Sequence, residues 1–339
     1  MPAYIQRNIL LAPYTTLGIG GFAEYFIEVT NEKELLEVVQ WAKDGEHTLT
    51  VLGGGSNVLI SDEGVKGLVL RPLFSDITYR EKGESVLVTV GAGVLLDMFI
   101  AEVVEKELWG IENLSAIPGT VGATPIQNVG AYGVEVSDVI KYVSVFDIET
   151  EKIFEIKKSE CMFAYRHSIF KKQEGKKYII LDVTFQLEKK AVPQISYKDI
   201  ALYFQNNSSP TLSEIRNSII DIRSKKFPNW HVNGTAGSFF KNPIISEYQY
   251  MQVQQKYPAI PGYNTKNGMV KIALGWVLEH VCNLKGYQEG NVGLFSNQAL
   301  VLVCTKDATA DEVKTFSEKI IQNVFSETGI IIEREVTII

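Results

Sequence analysis

Apolar residues three and four positions apart, Leu35, Leu36, Val38, Val39 and Ala42, share one side of a helix over 31–43 that Asn31 can cap. Residues 22–29 alternate as a strand does, and 48–52 and 58–60 read as further strands around a small α/β unit. More strands are expected at 67–71, 77–80 and 86–90. A helix is expected over 95–106, with Leu96, Phe99, Ile100, Val103 and Val104 apolar. Segments 139–147 and 153–157 suggest a hairpin of exposed edge strands, and 178–187 another strand. Residues 189–210 are polar and aperiodic. They contain Pro193, Tyr197 and the run 205–210, and read as a loop with a short helix followed by a linker. Thr211 and Glu214 form a capping box for a helix to about Lys226, which Pro228 ends. The rest predicts strand 238–241, helices 246–257 and 270–282, strand 299–304, helix 308–328 behind the Thr309/Glu312 capping box, and strand 330–339. That order suggests a sheet with helices on one face. Alternation in the last strand puts Glu333 and Glu335 on the same face.

Two segments interrupt this pattern. Residues 118–133 hold four glycines and two prolines in sixteen positions, yet almost no charge, with Val121, Ile126 and Val129 among them. Such a segment forms neither a stable helix nor a central strand. It reads as an ordered, half-buried loop. Alone it fits two structures equally: a tight packing corner, or a loop whose backbone N–H groups approach a phosphate. The second segment, Gly53-Gly54-Gly55-Ser56-Asn57, lies between two apolar runs and offers backbone donors and the Ser56 hydroxyl to a diphosphate. It is not a P-loop, because no Gly-Lys-Ser/Thr follows and no helix opens there. A third run, 18–23, formally fits the dinucleotide pattern ending in Ala, but a strand-like segment follows where the fingerprint needs a helix.

Composition narrows the class. At 339 residues, with 45% hydrophobic and 22% charged residues, the chain is globular and long enough for two or three domains. A net charge of −7 argues against general nucleic-acid binding. An anionic ligand would have to meet local cations such as Arg223, Lys225, Lys226, Lys241 and Lys285. Cys161, Cys282 and Cys304 are odd in number and far apart, which fits free thiols in a reducing compartment. The four histidines lack metal-ligand spacing, so no metal site is expected. Residues 1–10 lack a signal-peptide pattern, and no apolar run approaches the ~18 residues of a membrane span. A cytoplasmic protein is expected.

Three polar groups sit in unusual surroundings. Tyr165-Arg166 follows a short apolar stretch, where a guanidinium suits a carboxylate, although a surface ion pair fits equally. Ser238 lies in Gly237-Ser238-Phe239-Phe240, between small residues and aromatics. With no glycine two residues on and no neighbouring histidine base, it reads as a proton donor rather than a nucleophile, or else as a strand serine bonded to backbone. Glu335 stands among Ile and Val, as a site carboxylate or on a solvated strand face.

Segments 16–23, 52–62, 117–133 with 165–171, 237–243, and Glu335-Val336 run in the order found in the bacterial UDP-N-acetylenolpyruvoylglucosamine reductases, and together the chain resembles that family. The resemblance implies an α+β fold: a two-part FAD-binding module of the vanillyl-alcohol-oxidase/PCMH type and a C-terminal α+β substrate-binding domain. Subdomains would span 1–70, with strand 330–339 packing back on it, and 71–218, including a tyrosine loop at 189–210. The substrate domain would span 219–329. Non-covalent FAD would lie on Gly53, Gly54, Gly55, Ser56, Asn57, Pro118, Gly119, Thr120, Gly122, Ala123, Gln127, Asn128, Gly130, Ala131, Tyr132 and Gly133. NADPH would be the co-substrate. Arg166 and Glu335 would be catalytic and Ser238 the proton donor. Tyr165, Tyr197, Lys226, Asn242 and Gln298 would bind the substrate, UDP-N-acetylglucosamine enolpyruvate. Tyr197 in Ile195-Ser196-Tyr197-Lys198-Asp199 resembles the tyrosine of the family's longer form. The expected assembly is a monomer without nucleic-acid or membrane partners. Thr15 and Glu279 depart from the family's usual Asn and Asp. An oxidase of the same fold with covalent FAD would need a His or Cys in the flavin loops, and neither loop has one.

Overall fold

A computed structural model describes every residue except Met1, Ala3, Ser208 and Lys266, so Ser208 of the polar run 205–210 and two of the first ten residues lie outside it. The chain divides into two compact units, and each draws on separated stretches of sequence: 1–9, 23–54 and 66–223 in the first, and 10–22, 55–65 and 224–339 in the second.

The first unit holds two sheets. One has four strands in the order Gln6–Leu10, Phe22–Val29, Val65–Pro72, Leu49–Val51. Helix Glu32–Asp44 belongs with it. Asn31 caps that helix by accepting from the Glu34 N–H, and Leu35, Val38, Val39 and Ala42 are buried, as their spacing predicts. Burial of four such side chains contributes on the order of 1.5–3 kcal/mol for each of the larger ones. The other sheet is antiparallel with five strands in the order Lys152–Lys157, Ile140–Asp147, Tyr178–Glu188, Ser85–Gly91, Ile77–Lys82. Helix Leu96–Glu105 buries Phe99, Ile100 and Val103 in the same cluster as Val88, Val90 and Phe185 of this sheet. Of the two strands read as exposed edges, only Lys152–Lys157 is one. Ile140–Asp147 is an inner strand, paired on both sides and largely buried, because Tyr178–Glu188 supplies the partner that local pattern does not reveal.

In the second unit, helix Ala310–Thr328 has the expected Thr309/Glu312 capping box and stops at Gly329, whose φ of +67° an L side chain adopts only with strain. The rest departs from the expected single sheet with helices on one face. Two three-stranded sheets form instead: Ile244–Ser246, Met269–Ile272, Gly262–Asn264, and Gln288–Glu289, Val292–Phe295, Gln298–Cys304. The expected helix 270–282 is half strand. Val270 and Ile272 are buried with strands on either side, and only Leu274–Trp276, continued by a π turn at Val277–Val281, is helical. A β-branched run that also has helical spacing is decided by its neighbours. Segments 238–241 and 330–336 are not ladder strands. They make isolated bridges, Ser238 with Val301 and Phe240 with Arg334, so pairing is divided among neighbours. Only Thr337–Ile338 forms a regular strand at the C-terminus, parallel to Val58–Leu59.

Candidate flavin-binding and catalytic site

In the first unit the two glycine segments meet. A Cβ on Gly54 would lie 2.7 Å from the Gly119 Cα, and one on Gly53 would lie 3.0 Å from the Thr120 Oγ1 and 3.2 Å from the Ala123 Cβ. Only glycine allows so close a backbone approach. The N–H groups of Gly53 and Gly54 donate to no acceptor among the described residues. Backbone donors left open in a glycine cradle suit an anionic group such as a diphosphate.

The 118–133 loop is in part the packing corner its composition allows. Gly122 is a packing corner. Its N–H bonds to Ala92 O at 3.0 Å, and a Cβ there would lie 2.5 Å from the Ala92 Cβ. Asn128 is fully buried with φ +49°, and its carboxamide is committed to the loop: Nδ2 donates to Glu135 Oε2 (2.8 Å) and Ala164 O (3.2 Å), and Oδ1 accepts from Ser137 N (3.1 Å). Gly130, Ala131 and Gly133 lie at a short hairpin in which Gly130–Ala131 pairs with Val134–Glu135. Gln127 and Pro118 belong to the same loop. Sequence reading missed what holds the loop's entrance. Ala116, at φ +59°, donates to Asp97 Oδ1 at 2.6 Å and accepts from Arg223 Nε at 3.2 Å. Arg216 grips the same Asp97 through Nη1 and Nη2, at 2.6 and 3.0 Å. Burial would raise the Asp97 carboxyl, but these hydrogen bonds outweigh it and hold it below the usual carboxylate value. At the loop's far end Tyr132 is buried, which pushes its phenol up to about 12, and its side chain hydrogen-bonds Arg223.

Tyr165 and Arg166 are the two central residues of a tight turn, closed by reciprocal hydrogen bonds of 3.0 Å between Ala164 and His167. Arg166 has φ +52°, which a non-glycine residue tolerates only where its surroundings hold it. Its Nη2 donates to Gly130 O at 3.1 Å, and its guanidinium lies 5.4 Å from the Tyr165 ring centre. The turn thus aims the arginine at the 118–133 loop. Tyr197 lies just before helix Lys198–Tyr203, with its ring edge-on to Tyr132 at 5.4 Å.

In the second unit, Gly55 packs against Tyr14 and Thr15 and accepts at its carbonyl from the Thr16 N–H. Asn57 carries the turn to the C-terminus: its Nδ2 donates to Glu335 O at 3.3 Å, and its carbonyl accepts from Thr337 N at 3.1 Å. Glu335 in turn donates its N–H to Phe239 O at 2.8 Å. The backbone therefore puts Glu335 beside the residue that follows Ser238. Ser238 is half-buried after Gly237, whose φ is +74°, and Phe239 and Phe240 are buried. Glu335 is buried, whereas Glu333 is exposed with its carboxylate 2.8 Å from Lys241 Nζ, so the two do not share a face. Strand alternation fails there because the segment is not in a regular ladder. Asn242 accepts from Leu274 N at 3.0 Å, and Gln298 Oε1 accepts weakly from Leu300 N at 3.4 Å. Lys226 ends helix Leu212–Lys226 and is half-buried. The rejected 18–23 run also proves structural: Gly21 donates to Ser61 O, and a Cβ there would be 2.3 Å from Asp62 O. Among the described residues no cluster of His, Cys, Asp and Glu could hold a metal, and no helix is long and apolar enough to cross a membrane.

The glycine cradle lies within a domain of the FAD-binding class. Residues 23–157 match an FAD-binding domain, and 228–339 match the UDP-N-acetylenolpyruvoylglucosamine reductase C-terminal domain. The chain is 39% identical to the UDP-N-acetylenolpyruvoylglucosamine reductase of Neisseria meningitidis serogroup B over 95% of its own length and 94% of the relative's. It is 39% identical to that of Polynucleobacter asymbioticus, over 100% and 97%. The crystal structure of the reductase from Thermus caldophilus matches over 99% of both chains, with a TM-score of 0.69 and 25% identity. The chain belongs to the UDP-N-acetylenolpyruvoylglucosamine reductase family.

Proposed function

We propose that this protein reduces the enolpyruvyl group of UDP-N-acetylglucosamine enolpyruvate to UDP-N-acetylmuramate, using NADPH and non-covalent FAD, in peptidoglycan precursor synthesis. The observation that carries the reading is the backbone contact of Gly54 with Gly119, inside a chain that pairs an FAD-binding domain with the reductase C-terminal domain. Backbone N–H groups of the 53–57 turn and the 118–133 loop would hold FAD, which when bound passes hydride from NADPH to the terminal enolpyruvyl carbon.

The chain's own groups supply the rest. Negative charge grows at the carbon next to the substrate carboxylate and spreads into that carboxylate. Arg166, fixed by its turn and by Gly130 O, stabilises it, an effect stronger where water is excluded. Ser238 Oγ gives the proton to that carbon. A serine is a weak acid, but the acceptor is a strong carbon base. Glu335, buried beside Phe239, orients the donor. Tyr165, Tyr197, Lys226, Asn242 and Gln298 hold the nucleotide sugar. The test is NADPH absorbance followed with and without the enolpyruvyl sugar. Substrate-dependent oxidation is expected, and equal oxidation by oxygen without substrate would refute the reading.

A further inference from the structure

Asn113 is buried to 1% exposure on the 3-10 turn Glu112–Leu114, just upstream of the flavin loop. One carboxamide nitrogen makes two contacts: Nδ2 donates to Tyr132 O at 3.0 Å in a buried bond and to Gln194 O at 2.9 Å in a part-buried one. The first acceptor is in the flavin loop and the second lies three residues before Tyr197. Both are carbonyls, so only the NH₂ side of the carboxamide can face them. The Oδ1 atom accepts no hydrogen bond among the described residues, so the side chain serves these two donations alone.

The tether matters because, apart from Ile195 packed against the core, it is the stretch's polar anchor. Residues 191–196 have no regular structure, and across 190–196 the only hydrogen bond among the described residues is the one Gln194 O accepts from Asn113. Upstream, the chain is pinned where Glu188 and Trp109 exchange backbone hydrogen bonds of 2.8 and 3.0 Å. Downstream, Tyr197 meets the flavin loop again: its ring packs edge-on to Tyr132, and its Cβ lies 3.9 Å from where a Gly133 Cβ would be.

We propose that Asn113 is a positioning residue for Tyr197. Its carboxamide latches the tyrosine loop to the 130–133 hairpin, so the substrate-side tyrosine takes its place only when the flavin loop is ordered. The effect on substrate rests on the reading of Tyr197 as a substrate contact; the latch itself does not.

The test uses the FAD-loaded enzyme and Asn113→Ala, Asn113→Asp and Tyr197→Ala. Trypsin cleavage after Lys190 and Lys198 reports undocking of the loop without reference to activity. In Asn113→Ala, cleavage should quicken about tenfold and KM for the enolpyruvyl sugar should rise about tenfold, roughly the worth of one hydrogen bond, while flavin content and flavin reduction by NADPH hold. Asn113→Asp, which keeps the side-chain volume, separates latch from folding. Its neutral acid can still donate one bond and its anion none, so faster cleavage and higher KM should appear as pH rises and recede in acid. Cleavage at the wild-type rate in both Asn113 variants would overturn the proposal, as would a higher KM in Tyr197→Ala with none in either Asn113 variant. Faster cleavage with KM unchanged in all three variants would support the latch and refute Tyr197 as a substrate contact.

Discussion

The Gly54 backbone lies directly on that of Gly119, so that a Cβ on Gly54 would sit 2.7 Å from the Gly119 Cα. Two segments separated by more than sixty residues thus make one surface of backbone donors. Gly54→Val should separate them and yield protein largely without flavin, measured as the ratio of flavin to protein absorbance. Gly122→Val should do the same for a different reason, by forcing the loop off Ala92. Full retention of yellow colour in Gly54→Val would disprove the cradle.

Ser238→Ala removes the proposed proton donor and leaves the flavin site intact. Flavin reduction by NADPH should continue at the wild-type rate, while reoxidation by the enolpyruvyl sugar should fall by about 10²–10⁴-fold. Stopped-flow absorbance separates the two half-reactions, and normal reoxidation would remove Ser238 from the mechanism.

Tyr197→Phe keeps the ring that packs on Tyr132 and removes only the hydroxyl. If that hydroxyl touches substrate, KM should rise by about tenfold with flavin reduction unchanged. An unchanged KM would assign the residue to loop packing alone.

Glu112 gives a stability prediction with a definite sign. It is 1% exposed, Oε2 accepts from Gly110 N at 2.7 Å, and Oε1 accepts no hydrogen bond among the described residues. Burial, its largest influence, pushes the carboxyl above the usual value, and backbone hydrogen bonds oppose this only in part. The folded value lies above the unfolded one of about 4.3, so the group's contribution is complete below that pH and is lost as pH rises through the folded value. Glu112→Gln, which cannot ionise, should therefore melt increasingly higher than wild type as pH rises from about 4 to 7. Parallel melting curves across that range would contradict it.

Much of the first unit was legible in the sequence because its signals are local. Asn31 accepts the hydrogen bond its position predicts, strand Phe22–Val29 begins and ends where the alternation does, and the short helix at Lys198–Tyr203 falls inside the aperiodic 189–210 stretch. The second unit was less legible. Val270 and Ile272 satisfy both a helical and an extended pattern, and the strands on either side decide between them. Glu333 and Glu335 separate because the C-terminal segment pairs through single bridges rather than a ladder.

The sequence by itself determined which segments carry glycine, which polar residues stand among apolar ones, and where the capped helices begin. These follow from side-chain identity and near-neighbour spacing. Only the tertiary structure decided that Gly54 abuts Gly119, that Gly122 and Asn128 hold the 118–133 loop to residues beyond it, that Arg166 occupies a left-handed turn facing Gly130, and that Asn113 bridges Tyr132 and Gln194. Each depends on groups far apart in the chain, and the distance between their backbones is set by packing, which local pattern does not encode.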